Sequence, residues 1–133
     1  MMDRDPGPGA LIIHAQALDQ LGETKEALDT LAWYLQRQPD DRSILASAAG
    51  IAASHEQYFP LAVTYYQRLY GLDRNLLVRR QLVKLLVSLN RYPEAIPLQE
   101  EEVAEFPEDQ EALHSLALLH YWQRDFRVAS DIF

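Results

Sequence analysis

The stretch LVKLLVSLNRYPEA, residues 82–95, recurs in altered form 34 positions later as LALLHYWQRDFRVA, residues 116–129. The same spacing runs outward from this stretch through most of the chain, as four ladders of similar side chains in one phase. The ladders are Ala27, Ala95 and Ala129, with Leu61 on the remaining position; Tyr58, Tyr92 and Phe126; Leu11, Leu45 and Leu113, with Arg79 on the remaining position; and Ala15, Ala49, Val83 and Ala117. Self-similarity at this period is typical of helical repeat arrays.

Each period is predicted to hold two helices, because its apolar residues recur at helical spacing in two blocks separated by turn residues. Gly22 and Gly71 are placed to end helices, and Asp40 or Asp41, Asn75 and Asp109 are placed to cap the starts of others. The predicted helices cover residues 11–21, 24–38, 42–54, 58–70, 76–89 and 93–105, followed by one from residue 110 and a last one from about residue 125.

Two prolines bear on these predicted helices. Pro60 is tolerated only in the first turn of its helix, where a missing N–H is no loss. Pro97 falls inside the sixth predicted helix, where it removes a backbone hydrogen bond and crowds the carbonyl of Pro93. We therefore expect a distorted or delayed start to that helix.

These spacings resemble the tetratricopeptide repeat (TPR), whose consensus has Leu-Gly or Leu-Ala, an aromatic, Ala, another aromatic, Ala and finally Pro. The resemblance covers about residues 8–133, although the early tryptophan of the consensus is missing and Gln99 replaces an aromatic. The matching residues are Leu45, Ala49, Tyr58, Leu61, Tyr65 and Leu69 in the second repeat, Leu82, Val83, Tyr92, Ala95, Val103 and Pro107 in the third, and Leu113, Leu116, Ala117, Phe126, Ala129 and Phe133 in the fourth.

The resemblance implies an all-α fold, a right-handed superhelical array of antiparallel helix pairs with about 3.5 to 4 repeats. The expected organisation is a flexible lead-in at 1–8, TPR 1 at 8–41, TPR 2 at 42–75, TPR 3 at 76–109 and a truncated TPR 4 at 110–133. The doubled methionine at the start and the apolar end at Phe133 favour a fragment of a longer repeat protein. An uncapped last repeat would favour self-association, because repeat arrays need polar outer faces at their ends.

Composition excludes several classes of function. A formal net charge of −8 argues against nucleic acid as a partner, because phosphate contacts need a basic surface. The chain has no cysteine, and no run of residues approaches the length of a transmembrane helix or forms a signal peptide. No glycine-rich phosphate loop is visible, and His114 and His120 do not share a helical face as a metal pair would. We therefore expect no catalysis, no metal and no cofactor.

The TPR resemblance implies that the first helix of each pair lines a concave groove that binds a peptide. The inward-facing candidates are Gln16, Arg80, Lys84, His114 and Tyr121. Arg80 and Lys84 form a small basic patch one helical turn apart, which indicates a contact with a partner's carboxylates. The alternatives are ordinary solvated charge or pairing with neighbouring acids. The chain lacks the lysines and asparagines with which some TPR domains clamp a C-terminal carboxylate.

A second candidate surface is an acidic strip of Glu100, Glu101, Glu102 and Glu105, on a helix that faces outward in TPR arrays. It is either a solubilising convex face or a docking strip for a basic partner. The neighbours Tyr121 and Trp122 cannot both point inward, so one is expected to be exposed. The exposed ring could contact a partner or a sugar, or it could pack against a neighbouring repeat.

These observations predict a non-catalytic protein–protein interaction scaffold that binds a partner segment in a concave groove. The first alternative is a structural TPR segment of a bacterial exopolysaccharide-export machine, because residues 119–126 (LHYWQRDF) are loosely similar to scaffolds of Pel or cellulose export. In that case the setting is periplasmic and the partners are a polymer-modifying enzyme and a glycan; otherwise it is cytoplasmic. The second alternative is the repeat portion of a larger enzyme.

Overall fold

The computed structural model of the chain describes the backbone of residues 7–132 and the side chains of residues 7–124. Within those residues the secondary structure is entirely helical, which confirms the all-α prediction. The elements are α1 (Pro8–Gln20), α2 (Thr24–Arg37), α3 (Arg42–Ala53), a short 3₁₀ turn (Glu56–Tyr58), α4 (Phe59–Leu72), α5 (Leu76–Ser88), α6 (Tyr92–Glu105) and α7 (Gln110–Ile132).

The chain divides into two compact units, Met1–Val78 and Arg79–Phe133. In the first unit α2 packs against α1, and α4 packs against α3, in pairs joined by short turns. The pairs stack because α2 also contacts α3, and α1 contacts α3. In the second unit α6 packs against α7. In the first unit this is the pairing of helices that the repeat predicts, whereas α6 and α7 belong to different predicted repeats.

The alanine ladders explain how closely the helices of the first unit approach each other. Ala15, Ala27 and Ala49 are completely buried. Around them lie Leu31 and Leu45, which are also completely buried. A small side chain at the crossing point of two helices lets the larger leucines on either side fill the remaining space. These three ladder positions therefore belong to the core of the first unit.

Two helices are followed by a turn residue with a positive φ. Gly22 follows α1 with a φ of 87°, and Asn90 follows α5 with a φ of 58°, two periods later. In both cases the second residue of the turn donates its N–H to a carbonyl five residues back, at 2.8 Å (Glu23 to Leu18 and Arg91 to Leu86). Glycine and asparagine are the residues that tolerate this left-handed conformation. The role of Gly22 was predicted from the sequence, and that of Asn90 was missed.

Three of the predicted helix caps are confirmed, and at the start of α3 the cap is Asp41 rather than Asp40. Asp41 accepts a hydrogen bond from the N–H of Ile44 at 3.1 Å. Asn75 accepts bonds from the first turn of α5, and Asp109 accepts bonds from the first turn of α7. Each side chain satisfies N–H groups that have no partner within their own helix.

Three predictions about helix boundaries are corrected. Pro60 lies in the first turn of α4 as predicted, but α4 continues through Gly71 to Leu72. The start of α6 at Tyr92 is not delayed, although Pro97 lies inside the helix. The first helix begins at Pro8 rather than at residue 11. Proline is accommodated at the starts of α1, α4 and α6, where the N–H that it lacks would have had no helical partner.

The predicted turn before residue 125 is absent, because α7 is a single helix of 23 residues. The position equivalent to Gly22 and Asn90 is occupied by Arg124. Arginine has a Cβ that disfavours the left-handed conformation, so the turn residue of those two repeats is missing here. Residues 1–6 of the predicted lead-in and the ladder side chains Phe126, Ala129 and Phe133 lie outside the described part of the chain.

Candidate partner-binding groove

The second unit contains a buried charge on a core position. Arg79 occupies the position that leucine holds in the first two repeats, and it is 2% exposed, against 7% for Leu11 and 0% for Leu45. A buried guanidinium is costly unless it is paired and hydrogen-bonded. The partners of Arg79 therefore decide whether α5 and α6 can pack at this position.

Those partners are carboxylates on α6. Arg79 donates from Nη2 to Oε1 of Glu102 at 2.9 Å and from Nη1 to Oε1 of Glu105. Its Nη1 also lies 3.8 Å from Oε1 of Glu101. The next residue, Arg80, donates from Nε and Nη2 to Oε2 of Glu102 at 3.1 and 2.6 Å. Glu102 thus bridges two arginines, one buried and one half exposed.

The charge state of Glu102 follows from this arrangement. Burial raises the pKa of the Glu102 carboxyl, but hydrogen bonds and positive charges from Arg80 and Arg79 outweigh burial and hold the pKa below its ordinary value. The same hydrogen bonds to Glu102 raise the pKa of the Arg80 guanidinium. The two arginines therefore favour the ionised form of Glu102.

The predicted acidic strip is corrected by these contacts. Glu102 is 5% exposed, so it is not part of an outward solvated face. Glu100 is exposed, whereas Glu101 and Glu105 lie beside Arg79. The basic patch and the acidic strip, which we treated as separate surfaces, meet in one ion-pair network. For Arg80 this agrees with the alternative interpretation of the sequence, in which the basic residues pair with neighbouring acids.

Gln99 is a second buried polar residue on a core position. One and two periods earlier the position holds Tyr65 and Leu31, both buried. The amide of Gln99 donates to the backbone carbonyl of Ala112 at 3.1 Å, which ties α6 to α7. Sequence reasoning noted the departure from the consensus but did not identify this contact.

Two adjoining cavities form a groove along α5 and α7, called here the α5–α7 groove. The larger has a volume of about 390 Å³ and the smaller about 340 Å³. Arg80, Gln99 and Ser115 line both cavities, so the two are direct neighbours. The larger cavity is also lined by Val83, Lys84, Val87, Ser88, Leu118, Leu119 and Trp122, and the smaller by Glu102, Asp109, Glu111 and Ala112.

The sequence-predicted groove residues are only partly brought together. Arg80 and Lys84 line the α5–α7 groove. His114 and Tyr121 are exposed on α7 but do not line it, and Gln16 is exposed on α1 in the first unit. Trp122, which we did not assign to the groove, lies in its wall with its ring centroid 6.3 Å from that of Tyr92. Its position on α7, one helical turn beyond Leu118, could have identified it as a groove residue from the sequence.

Both adjacent aromatics of α7 are accessible to solvent. Tyr121 is 61% exposed and Trp122 is 38% exposed. The expectation that at least one of the two is exposed is therefore met. Of these two residues, only Trp122 also lines the α5–α7 groove.

A smaller polar cluster links the helix ends of the first unit. The Asp19 carboxylate accepts a hydrogen bond from Thr24 Oγ1 at 2.6 Å and lies 2.9 Å from His55 Nε2. The Thr24 hydrogen bond lowers the pKa of Asp19, burial opposes it, and His55 adds to the lowering. The cluster joins α1, α2 and the segment after α3, so it is a structural tie. Sequence reasoning assigned no role to His55, because its partners lie more than 30 residues away.

No group of His, Asp or Glu side chains in the described residues is arranged to hold a metal ion. Over residues 7–132, no helix combines the length and the apolar character that crossing a membrane requires.

Comparison with known proteins supports the repeat fold. No family model matches the chain. It is 26% identical over 107 residues to tetratricopeptide repeat protein 21B of Xenopus laevis, a match that covers 80% of this chain and 8% of that protein. The chain thus spans less than a tenth of the length of that relative.

Solved structures of MamA, a TPR-like helical repeat protein, have the same fold. The structure of MamA 41-end from Desulfovibrio magneticus RS-1 matches with a TM-score of 0.66 and 21% identity, over 90% of this chain and 68% of that one. The MamA MSR-1 structure matches with a TM-score of 0.68 and 17% identity, over 93% and 74% of the two chains. The protein is therefore similar to tetratricopeptide repeat proteins and has a TPR-like helical repeat fold.

Proposed function

We propose that this chain is a non-catalytic protein–protein interaction scaffold that binds a segment of a partner protein in the α5–α7 groove. The observation that carries the proposal is the groove itself. Its larger cavity has an apolar wall contributed by both helices, with Val83 and Val87 on α5 and Leu118, Leu119 and Trp122 on α7. A concave surface with an apolar wall and a few polar groups is typical of binding sites.

The polar groups of the groove support binding rather than catalysis. Arg80, Gln99 and Glu102 all have partners within the protein, and these contacts fix the relative positions of α5, α6 and α7. A site held by satisfied hydrogen bonds is preorganised, which lowers the entropic cost of binding. The cavity volume suits one or two large side chains of a partner segment.

A matched pair of substitutions tests the proposal. Leu118→Arg places a long charged side chain in the groove, whereas Leu113→Arg makes the same change on an exposed position of α7 outside it. Peptides selected from a displayed random library on the wild-type chain are titrated against both variants by fluorescence anisotropy. We expect Leu118→Arg to weaken binding at least about tenfold and Leu113→Arg to leave it within about twofold.

Circular dichroism is the control, and it should show the wild-type helicity for both variants. Selected peptides that bind equally well to both variants would place the site outside the α5–α7 groove. Failure to select any binding peptide would remove the support for a segment-binding scaffold. The export-machine and larger-enzyme interpretations stay predictions, because no contact described above favours either.

A further inference from the structure

We infer that the partner segment carries a carboxylate next to a large apolar side chain, and that Lys84 is the residue that selects it. This inference rests on the proposed function, because it names the chemistry of the segment that the α5–α7 groove binds. It is carried by the distribution of charge along the groove.

The two cations of the groove are not equivalent. Arg80 donates two hydrogen bonds to Glu102, so its charge is already compensated within the protein. Lys84 is exposed and lines the apolar cavity. Among the side chains that the structure describes, none forms an ion pair with Lys84. The basic patch predicted from the sequence therefore reduces to one cation that a partner can use.

The opposite end of the groove has the opposite charge. Asp109 and Glu111 line the smaller cavity, at the start of α7. Asp109 accepts the N–H groups of Glu111 and Ala112 at the N-terminus of α7, where negative charge is favoured. A partner carboxylate at this end would meet two like charges. The groove therefore favours an acid at the Lys84 end and disfavours one at the Glu111 end.

The two ends of the groove are far enough apart for different residues of a bound segment to meet the opposite charges. Trp122 lies eleven positions beyond Glu111 on α7, which at a rise of 1.5 Å per residue is about 16 Å. An extended segment rises about 3.3 Å per residue, so roughly five residues span the groove. The apolar wall lies level with Lys84, because Val83, Val87, Leu118 and Trp122 line the same cavity. A large apolar side chain seated there places an adjacent carboxylate within reach of the ammonium group.

The test uses three synthetic peptides that share the sequence acetyl-Gly-X-Leu-Phe-Gly-Gly-amide, with Glu, Gln or Lys at the single X position. The protein carries Trp33→Phe, so that Trp122 in the groove wall is its only tryptophan and its emission reports binding. At low salt we expect the Glu peptide to bind about two- to fivefold more tightly than the Gln peptide, the range of an exposed ion pair. The Lys peptide should bind most weakly, and high salt should remove the differences.

Substitution of Lys84 then decides the assignment. Lys84→Met should abolish the preference for the Glu peptide, and Lys84→Glu should reverse the order so that the Lys peptide binds best. Arg124→Glu is the matched control, because it makes the same change of net charge on an exposed residue of α7 outside the groove. The wild-type order should survive in that control.

The outcomes separate the inference from the function on which it rests. Binding of all three peptides with equal affinity overturns the inference and leaves the groove as a peptide site. An order that changes equally in Lys84→Glu and Arg124→Glu also overturns it, since net charge rather than Lys84 would then set the preference. Binding of none of the three, at any salt concentration, contradicts the groove proposal itself.

Discussion

Removing one partner of the buried ion pair should destabilise the second unit far more than removing both. In Glu102→Leu, Arg79, which is 2% exposed in the wild type, loses its buried carboxylate and keeps Glu105 and Glu101, which are more exposed. Breaking a buried pair in this way costs about 3–5 kcal/mol, and the remaining acids place the expected loss near 3 kcal/mol. In the double variant Arg79→Leu/Glu102→Leu the leucine of the first two repeats returns to its position. That variant should be as stable as the wild type or more stable, because apolar packing replaces two desolvated charges.

The assay is urea denaturation, with one tryptophan reporting each unit. Trp33 lies in the first unit and Trp122 in the second, so Trp33→Phe and Trp122→Phe backgrounds follow the two units separately. We expect the single substitution to lower the Trp122 midpoint strongly and to affect the Trp33 midpoint less. Equal stability of the single and double variants would refute the reasoning, because Arg79 would then not need its buried partner.

Three further predictions concern named contacts. The pKa values of Asp19 and Glu102 are lowered from 3.8 and 4.5, so the stability that these carboxylates contribute is complete above about pH 5 and is lost as the pH falls through the lowered values. Asp19→Asn should flatten that acid dependence, measured as the urea midpoint against pH. Asn90→Gly should preserve stability, whereas Asn90→Ala should cost about 1 kcal/mol because of the positive φ, measured by the same denaturation. Gln99→Glu should destabilise the second unit more than Gln99→Leu, because a carboxylate would face the carbonyl of Ala112, and the Trp122 midpoint reports the difference.

Local chemistry made the helices predictable from the sequence. The side chains of Asp41, Asn75 and Asp109 act within three residues of their own position, so spacing alone identifies them as caps. The repeat spacing also bears on the turn that is absent near residue 125. Arg124 stands where Gly22 and Asn90 turn the chain, so the left-handed turn residue of those two repeats is missing within α7.

Contacts between distant residues were not predictable in the same way. The ladder marked Arg79 as a charge on a leucine position, but its partner Glu102 lies 23 residues further along the chain. Helical spacing placed Glu102 on a strip of four glutamates and could not say which of them turns inward. The wall of the groove combines residues of α5, α6 and α7, and its volume depends on how these helices pack.

The polar residues on core positions and the α5–α7 groove lie in the same unit, and the ion pairs connect them. Arg79, Gln99 and Glu102 are buried, and the last two line the groove together with Arg80. Glu102 holds Arg80 through two hydrogen bonds and so removes one cation from those that a partner could contact. In Arg79→Leu/Glu102→Leu this restraint is gone, and Arg80 becomes a second cation beside Lys84.

The double variant should therefore prefer the Glu peptide over the Gln peptide more strongly than the wild type does, by about another two- to fivefold. The comparison is made with Trp122 emission at low salt, and Arg80→Met in the double-leucine background is the control that should restore the wild-type ratio. An unchanged ratio in the double variant would mean that Glu102 does not limit what Arg80 contacts. The buried network would then serve packing alone, and the selectivity of the groove would be independent of it.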